Sequence, residues 1–198
     1  MSEADGWTKG ELRREIRGRL KAMSDEERAR DSESMRRLLA AQPVWESARA
    51  ILAFVPAGQE PDLWPAMIQA LAAGRQIALP RHSPETDRYL PCLIRDIGRD
   101  LQAGQFGIPE PKAHCPIFDL MRLDLVLVPG IGFTLNGGRL GRGKGYYDRL
   151  LAGVPATKCG VAFDCQIAGE FPLEPHDIHL NCILTPTRWH WAGGHARS

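Results

Sequence analysis

Residues 124–151 read DLVLVPGIGFTLNGGRLGRGKGYYDRLL, and the rest of the chain is arranged around them. Leu125, Val126, Leu127 and Val128 form a short apolar run bounded by Asp124 and by Pro129-Gly130. A run of that length, unbroken by polar residues and closed by a turn signal, predicts a strand buried on both faces. Next comes a loop with Gly137, Gly138, Gly141, Gly143 and Gly145, interleaved with Arg139, Arg142 and Lys144, and then a helix predicted over 146–151. Glycine admits positive φ and lets a ligand approach main-chain N–H groups. Strand, cationic glycine-rich loop and helix start together describe an anion cradle, with phosphate as its natural occupant. The competing reading is a flexible, solvated loop. Paired tyrosines and an acid at the head of the helix argue against it.

The cradle matches neither common nucleotide motif. Gly138 to Lys144 has the spacing G-x-x-x-x-G-K, but Gly145 stands where a P-loop needs Ser or Thr for magnesium. G-x-G-x-x-G is absent as well, because Tyr146, Tyr147 and Asp148 follow Gly143-Lys144-Gly145. Asp148 is the nearest carboxylate, and it could supply the missing metal ligand. PGIGF followed by GGRLGRGKGYYDRLL closely resembles the signature of the 5-formyltetrahydrofolate cyclo-ligases, also called 5,10-methenyltetrahydrofolate synthetases.

Composition sets the outer bounds. At 198 residues the chain fits one domain with a sizeable core, expected to span 1–198 with loose tails at 1–8 and about 189–198. Twenty-five basic against 24 acidic residues give a net charge of +1, so no bulk polyanion partner is implied. No apolar run approaches the roughly 20 residues that span a membrane, and the polar start MSEADGWTKGELRR lacks a secretory signal's apolar core. Cys92, Cys115, Cys159, Cys165 and Cys182 are scattered and never in C-x-x-C spacing, which suits reduced thiols in a cytoplasmic protein. A monomer with neither nucleic acid nor membrane as partner is expected.

Upstream, Leu12, Ile16 and Leu20 recur every four residues, predicting an amphipathic helix over 9–20. Ser24 and Glu27 have capping-box spacing, so a second helix is predicted to start there and stop near Pro43. Residues 50–55 predict another buried strand, followed by a polar loop with Glu60. Such loops line the ligand crevice of open α/β sheets, although a surface acid is the alternative. A helix is predicted over 63–73, and strands over 76–80, 89–94 (at an edge, because of Pro91), 158–163 and 182–184. Alternating strands and helices indicate a mostly parallel sheet covered on both sides. His176 and His179 lack further ligands at metal spacing and read as loop histidines. No nucleophile-elbow serine is present, so covalent acyl chemistry has no candidate.

The resemblance runs from Lys9 to about Pro186. It implies an α/β, three-layer α/β/α Rossmann-like domain preceded by an N-terminal helical pair. It further implies ATP-dependent closure of 5-formyltetrahydrofolate to 5,10-methenyltetrahydrofolate through an iminium phosphate, with ATP as co-substrate and Mg2+. ATP would be bound by Lys9, Arg13, Arg139, Leu140, Gly141, Arg142, Gly143, Lys144, Gly145, Tyr146 and Tyr147. The folate would be bound by Val55, Glu60, Arg142, Gly143, Lys144, Gly145 and Tyr146, and the segment 106–111 (FGIPEP) resembles a loop lying along it. Lys144 and Arg142 would be catalytic. Tyr146 and Tyr147 would pack on pterin or adenine, with core packing as the alternative. Asp148 and a second acid would hold magnesium, but the family's D-x-x-x-D reads Asp177-Ile-His-Leu-Asn181, and G-F-D reads Gly132-Phe133-Thr134. These two departures leave open a catalytically weakened paralogue that binds folate or nucleotide for regulation.

Overall fold

The structure, a computed structural model, describes residues 7–104 and 107–193. Two helices open it, α1 (Lys9–Ala22) and α2 (Asp25–Ala40). Each is started by a reciprocal capping box, Thr8 with Glu11 and Ser24 with Glu27. The Thr8 box was not anticipated. Two orphan N–H groups are satisfied at each start, so both helices begin sharply. Leu12, Ile16 and Leu20 form the buried stripe of α1. Burying each contributes about 2 kcal/mol, which docks the helix that carries Lys9 and Arg13.

A short α3 (Pro43–Ser47) leads into β1 (Ala50–Leu52), which ends three residues earlier than the sequence predicts. The following α4 (Trp64–Ala72), β2 (Gln76–Ser83) and β3 (Arg88–Ile94) make a crossover and a long hairpin. A small α5 (Ile97–Asp100) precedes the ribbon of β4 (Leu101–Ala103) and β5 (Pro109–Pro111). Phe106, the start of the expected substrate loop, lies outside the described residues.

The apolar run becomes β6 (Leu125–Val128), with all four residues buried. Asp124 at its head accepts the N–H groups of Arg49 (2.8 Å) and Ala50 (2.9 Å), tying it to the start of β1. The expected continuous loop contains a hairpin, β7 (Gly132–Phe133) against β8 (Arg139–Leu140), so only residues 141–145 form the glycine-rich loop. Thr134, in the position of the family's acid, holds this turn by accepting the Gly138 N–H at 2.8 Å. The helix α6 (Tyr146–Leu151) has the predicted bounds. β9 (Thr157–Val161), β10 (Cys182–Leu184) and β11 (Trp189–Trp191) complete the chain. β11 pairs antiparallel with β10, so 189–191 is sheet edge and not the start of a loose tail; of the tail expected at 1–8, Trp7 packs against the core and Thr8 caps α1, while residues 1–6 and 194–198 lie outside the described residues.

The seven-stranded sheet has the order β11-β10-β9-β6-β1-β2-β3, parallel except at its two edges. Side chains alternate between two cores. Ile51, Leu125 and Leu127 face α1, α2 and α4, whereas Leu52, Val126 and Val128 face Leu150 and Leu151 of α6 with Phe118 and Ile178 from irregular segments. This is a three-layer α/β/α fold. From β1 the chain moves outward to β2 and β3, then returns to β6 on the other side of β1. Strand order therefore reverses between β1 and β6. In open α/β sheets the crevice at that reversal, beyond the strands' carboxyl ends, is where ligands bind.

Candidate active site

A cavity of about 420 Å³ opens at this reversal. The segments leaving β1 and β6 contribute Phe54, Val55, Glu60, Pro129 and Gly130 to its wall. Helix α1 adds Lys9 and Arg13, the β2–β3 hairpin adds Leu79, Pro80 and Tyr89, and residues 139–149 line it without a break. The structure thus brings together Lys9, Arg13, Val55, Glu60, Asp148 and all of 139–147. The size suits a small-molecule site.

The cations are not equivalent. Arg13 Nε donates to the Gly141 carbonyl at 2.8 Å, fastening the loop to α1. Lys9 Nζ lies 2.8 Å from Asp177 Oδ2 and 3.5 Å from Glu174 Oε2. Burial works against the Asp177 carboxylate, but the Glu174 N–H and the Lys9 ammonium hold its pKa below the ordinary value. Arg142 reaches across the cavity to Glu60, with Nη2 2.6 Å from Oε1. The Glu60 side chain is 14% exposed and that of Arg142 53%. Burial pushes the Glu60 carboxyl up, opposed by Arg142 and by the Ala57 N–H on its other oxygen. Among the described residues, the Lys144 ammonium has no ion-pair or hydrogen-bond partner.

Arg139 lines the cavity but is paired inside the protein. Its side chain is 5% exposed, and Nη2 lies 2.7 Å from Asp148 Oδ1. Its guanidinium also sits over the Tyr147 ring, 5.8 Å from the centroid. A Cβ at Gly141 would come within 2.9 Å of Arg139 Nη1 and push against the guanidinium that Asp148 holds. Gly143, at φ +102°, instead meets the conformational need for glycine. Burial pushes the Tyr147 phenol far up, while its half-buried ring lines the cavity and meets that of Tyr89 edge-on at 6.2 Å.

Asn181 does not reach the cavity. Its side-chain oxygen accepts the Lys158 N–H at 2.8 Å, and its own N–H donates to the Lys158 carbonyl at 2.8 Å. It stitches the start of β10 to β9, so D-x-x-x-D spacing does not yield a paired acid here. Asp177 does line the cavity, and its ligand atoms lie within 4.8 Å of those of Glu174 and His176. His176, an exposed loop histidine as expected, also lines the cavity. His179 is not among the lining residues.

Sequence reasoning missed Tyr89 and Glu110. Tyr89 packs its ring 4.9 Å from that of Tyr146, and burial, with Glu110 nearby, raises its phenol pKa. A tyrosine within an otherwise apolar edge strand was the available signal. Glu110 accepts the His82 N–H at 3.2 Å and faces the cavity. The segment FGIPEP contained it, but its role there was assigned only to the backbone path.

Comparison with known proteins agrees with this picture. The model of the 5-formyltetrahydrofolate cyclo-ligase family matches residues 5–186. A 5-formyltetrahydrofolate cyclo-ligase of Mycolicibacterium smegmatis is 31% identical over 188 residues, 91% of this chain and 95% of that protein. Its Escherichia coli K12 counterpart is 30% identical over 181 residues, 89% of this chain and all of that protein. The solution structure of Aquifex aeolicus 5,10-methenyltetrahydrofolate synthetase superposes with a TM-score of 0.84 at 32% identity, covering 96% of this chain and 95% of that one.

Proposed function

This chain belongs to the 5-formyltetrahydrofolate cyclo-ligase family, and from that premise we propose how its cavity performs the ATP-dependent closure of 5-formyltetrahydrofolate to 5,10-methenyltetrahydrofolate. The observation that carries the reading is the cavity at the strand reversal, where Lys9, Arg13, Arg142 and Lys144 converge opposite the buried Glu60 carboxylate.

The formyl group is an amide, a poor electrophile whose oxygen is a poor leaving group. The formyl oxygen takes the γ-phosphoryl of ATP and ADP departs, leaving an iminium phosphate. N10 of the same folate attacks its carbon and loses its proton. Phosphate then leaves with the C–O bonding pair, and the N5–CH–N10 cation remains. Attacker and electrophile share one molecule, so orientation supplies much of the acceleration. The protein neutralises phosphoryl charge and sets the γ-phosphate beside the formyl oxygen.

Lys9, Arg13 and Lys144, with the backbone of Gly141, Gly143 and Gly145, hold the triphosphate. Tyr146 and Val55 line the folate side. Glu60 accepts pterin N–H groups, since one carboxylate can take two donors together. That displaces Arg142, which is held at its guanidinium only by Glu60 among the described residues. Released, it turns toward the transferring phosphoryl. Arg139 anchors the cradle from beneath.

The residues present fit a magnesium ion. Asp148 faces the cavity and among the described residues makes hydrogen bonds only through Oδ1, to Arg139 and to the Ile178 N–H, which leaves Oδ2 available. Asp148, with Asp177 once Lys9 has moved to phosphate, would hold the ion in place of the Asp148–Asn181 pair. When bound, magnesium neutralises triphosphate charge. One domain, acting as a monomer in the cytoplasm on a small folate, without nucleic acid or membrane, completes the reading; five free cysteines support a reducing compartment.

Purified protein with 5-formyltetrahydrofolate, ATP and magnesium is expected to develop methenyl absorbance with one ADP per product. Omission of nucleotide or addition of a chelator should abolish the signal. Binding of either ligand without product would instead support the regulatory paralogue.

A further inference from the structure

Helix α6 is only six residues long, and its N-cap, Gly145, offers no side-chain cap. The glycine-rich loop before it brings little rigidity of its own. What fixes this junction comes from the tip of the β2–β3 hairpin, 59 positions away in sequence. Asp87 Oδ1 accepts the Tyr146 hydroxyl at 2.7 Å, and His82 Nε2 lies 3.1 Å from the same oxygen. The Asp87 carbonyl accepts Arg149 Nη2 at 3.3 Å. Arg149 Nη1 in turn donates to the Lys144 carbonyl at 3.0 Å, and the Arg149 guanidinium lies over the Tyr146 ring, 5.2 Å from its centroid. The His82 and Tyr146 rings meet edge-on at 5.7 Å.

Asp87 has φ +47°, and no other non-glycine residue among those described has positive φ. A left-handed side-chain-bearing residue costs free energy and persists where its surroundings over-determine it. The carboxylate is 72% exposed and lies outside the cavity wall, so no direct contact with the reacting atoms follows from its position. We propose that Asp87 is a positioning residue: its clasp on Tyr146 and Arg149 holds the Lys144 backbone, and thereby the ammonium, in register with the transferring phosphoryl group. This rests on the ring-closure reading above.

Glycine accepts φ +47° without strain, so Asp87→Gly removes the side chain that holds Tyr146 and His82 while keeping the backbone carbonyl that accepts Arg149. Asp87→Asn keeps an oxygen able to accept from Tyr146. For Asp87→Gly we expect kcat to fall about tenfold while KM for ATP and for folate each move less than about threefold, because orientation and not ground-state binding is lost. Asp87→Asn should recover most of kcat. Hydrogen exchange in residues 143–149 should rise in Asp87→Gly, with the melting temperature unchanged. Full kcat in Asp87→Gly, unchanged exchange at 143–149, or a kcat loss matched by a lower melting temperature would each overturn the assignment. If the wild-type protein forms no methenyl product, the ring-closure reading fails instead. The exchange measurement needs no turnover and keeps the two failures distinguishable.

Discussion

Lys144→Ala is expected to lower kcat about a thousandfold and leave the melting temperature unchanged, the upper end of the scale on which loss of one donor to developing charge is felt. The reason lies in how differently the cations are employed. Arg13 is spent partly on the Gly141 carbonyl, Lys9 on Asp177 and Glu174, Arg142 on Glu60 and Arg139 on Asp148. Lys144 stands exposed in the loop between two glycines, its ammonium uncommitted among the described residues. A charge with no internal partner contributes little to folding and is available to the substrate. Steady-state assays at saturating ATP and folate, paired with thermal unfolding, check both halves. Retention of most of the rate would remove Lys144 from the reacting junction.

The second large effect concerns stability. Asp148→Ala is expected to cost about 3–5 kcal/mol, because it leaves the Arg139 guanidinium charged, buried and unpaired. Arg139 Nε lacks a partner among the described residues and Nη1 has only a long contact of 3.4 Å to the neutral Pro129 carbonyl, so no second carboxylate takes up the charge. At roughly 2–4 °C per kcal/mol for a chain of this size, the melting temperature should drop by about 6–20 °C. Replacing both partners together, Arg139→Met with Asp148→Leu, should cost less than Asp148→Ala alone, since no isolated charge remains. A melting temperature within about 2 °C of wild type for Asp148→Ala would mean that the pair is not a strut, and that Asp148 serves only as a cation ligand.

Much of the architecture was legible because local signals and tertiary demands coincide. Four consecutive β-formers between Asp124 and Pro129 had only one stable environment, the sheet centre, and α6 ends where Leu150 and Leu151 meet it. The gathering of Lys9, Arg13, Glu60 and 139–147 followed from a motif long enough to carry its own context. What stayed hidden depends on pairing across the chain. Gly137 and Gly138 look like loop composition, yet they turn a hairpin whose second strand buries Arg139. Spacing put Asn181 among metal ligands, whereas its side chain answers the Lys158 N–H at a strand start. Trp189 and Trp191 precede glycines and read as tail, but β10 offered an open edge. Asp87 sits in a polar turn, and nothing local points to a tyrosine 59 residues later.

The destination of the γ-phosphoryl group decides the mechanism. The most direct measurement uses 5-formyltetrahydrofolate labelled with 18O in the formyl group, with mass analysis of the phosphate released. Transfer to the formyl oxygen predicts one 18O in every phosphate formed alongside the methenyl product. Unlabelled phosphate, with the 18O recovered in water, would contradict it.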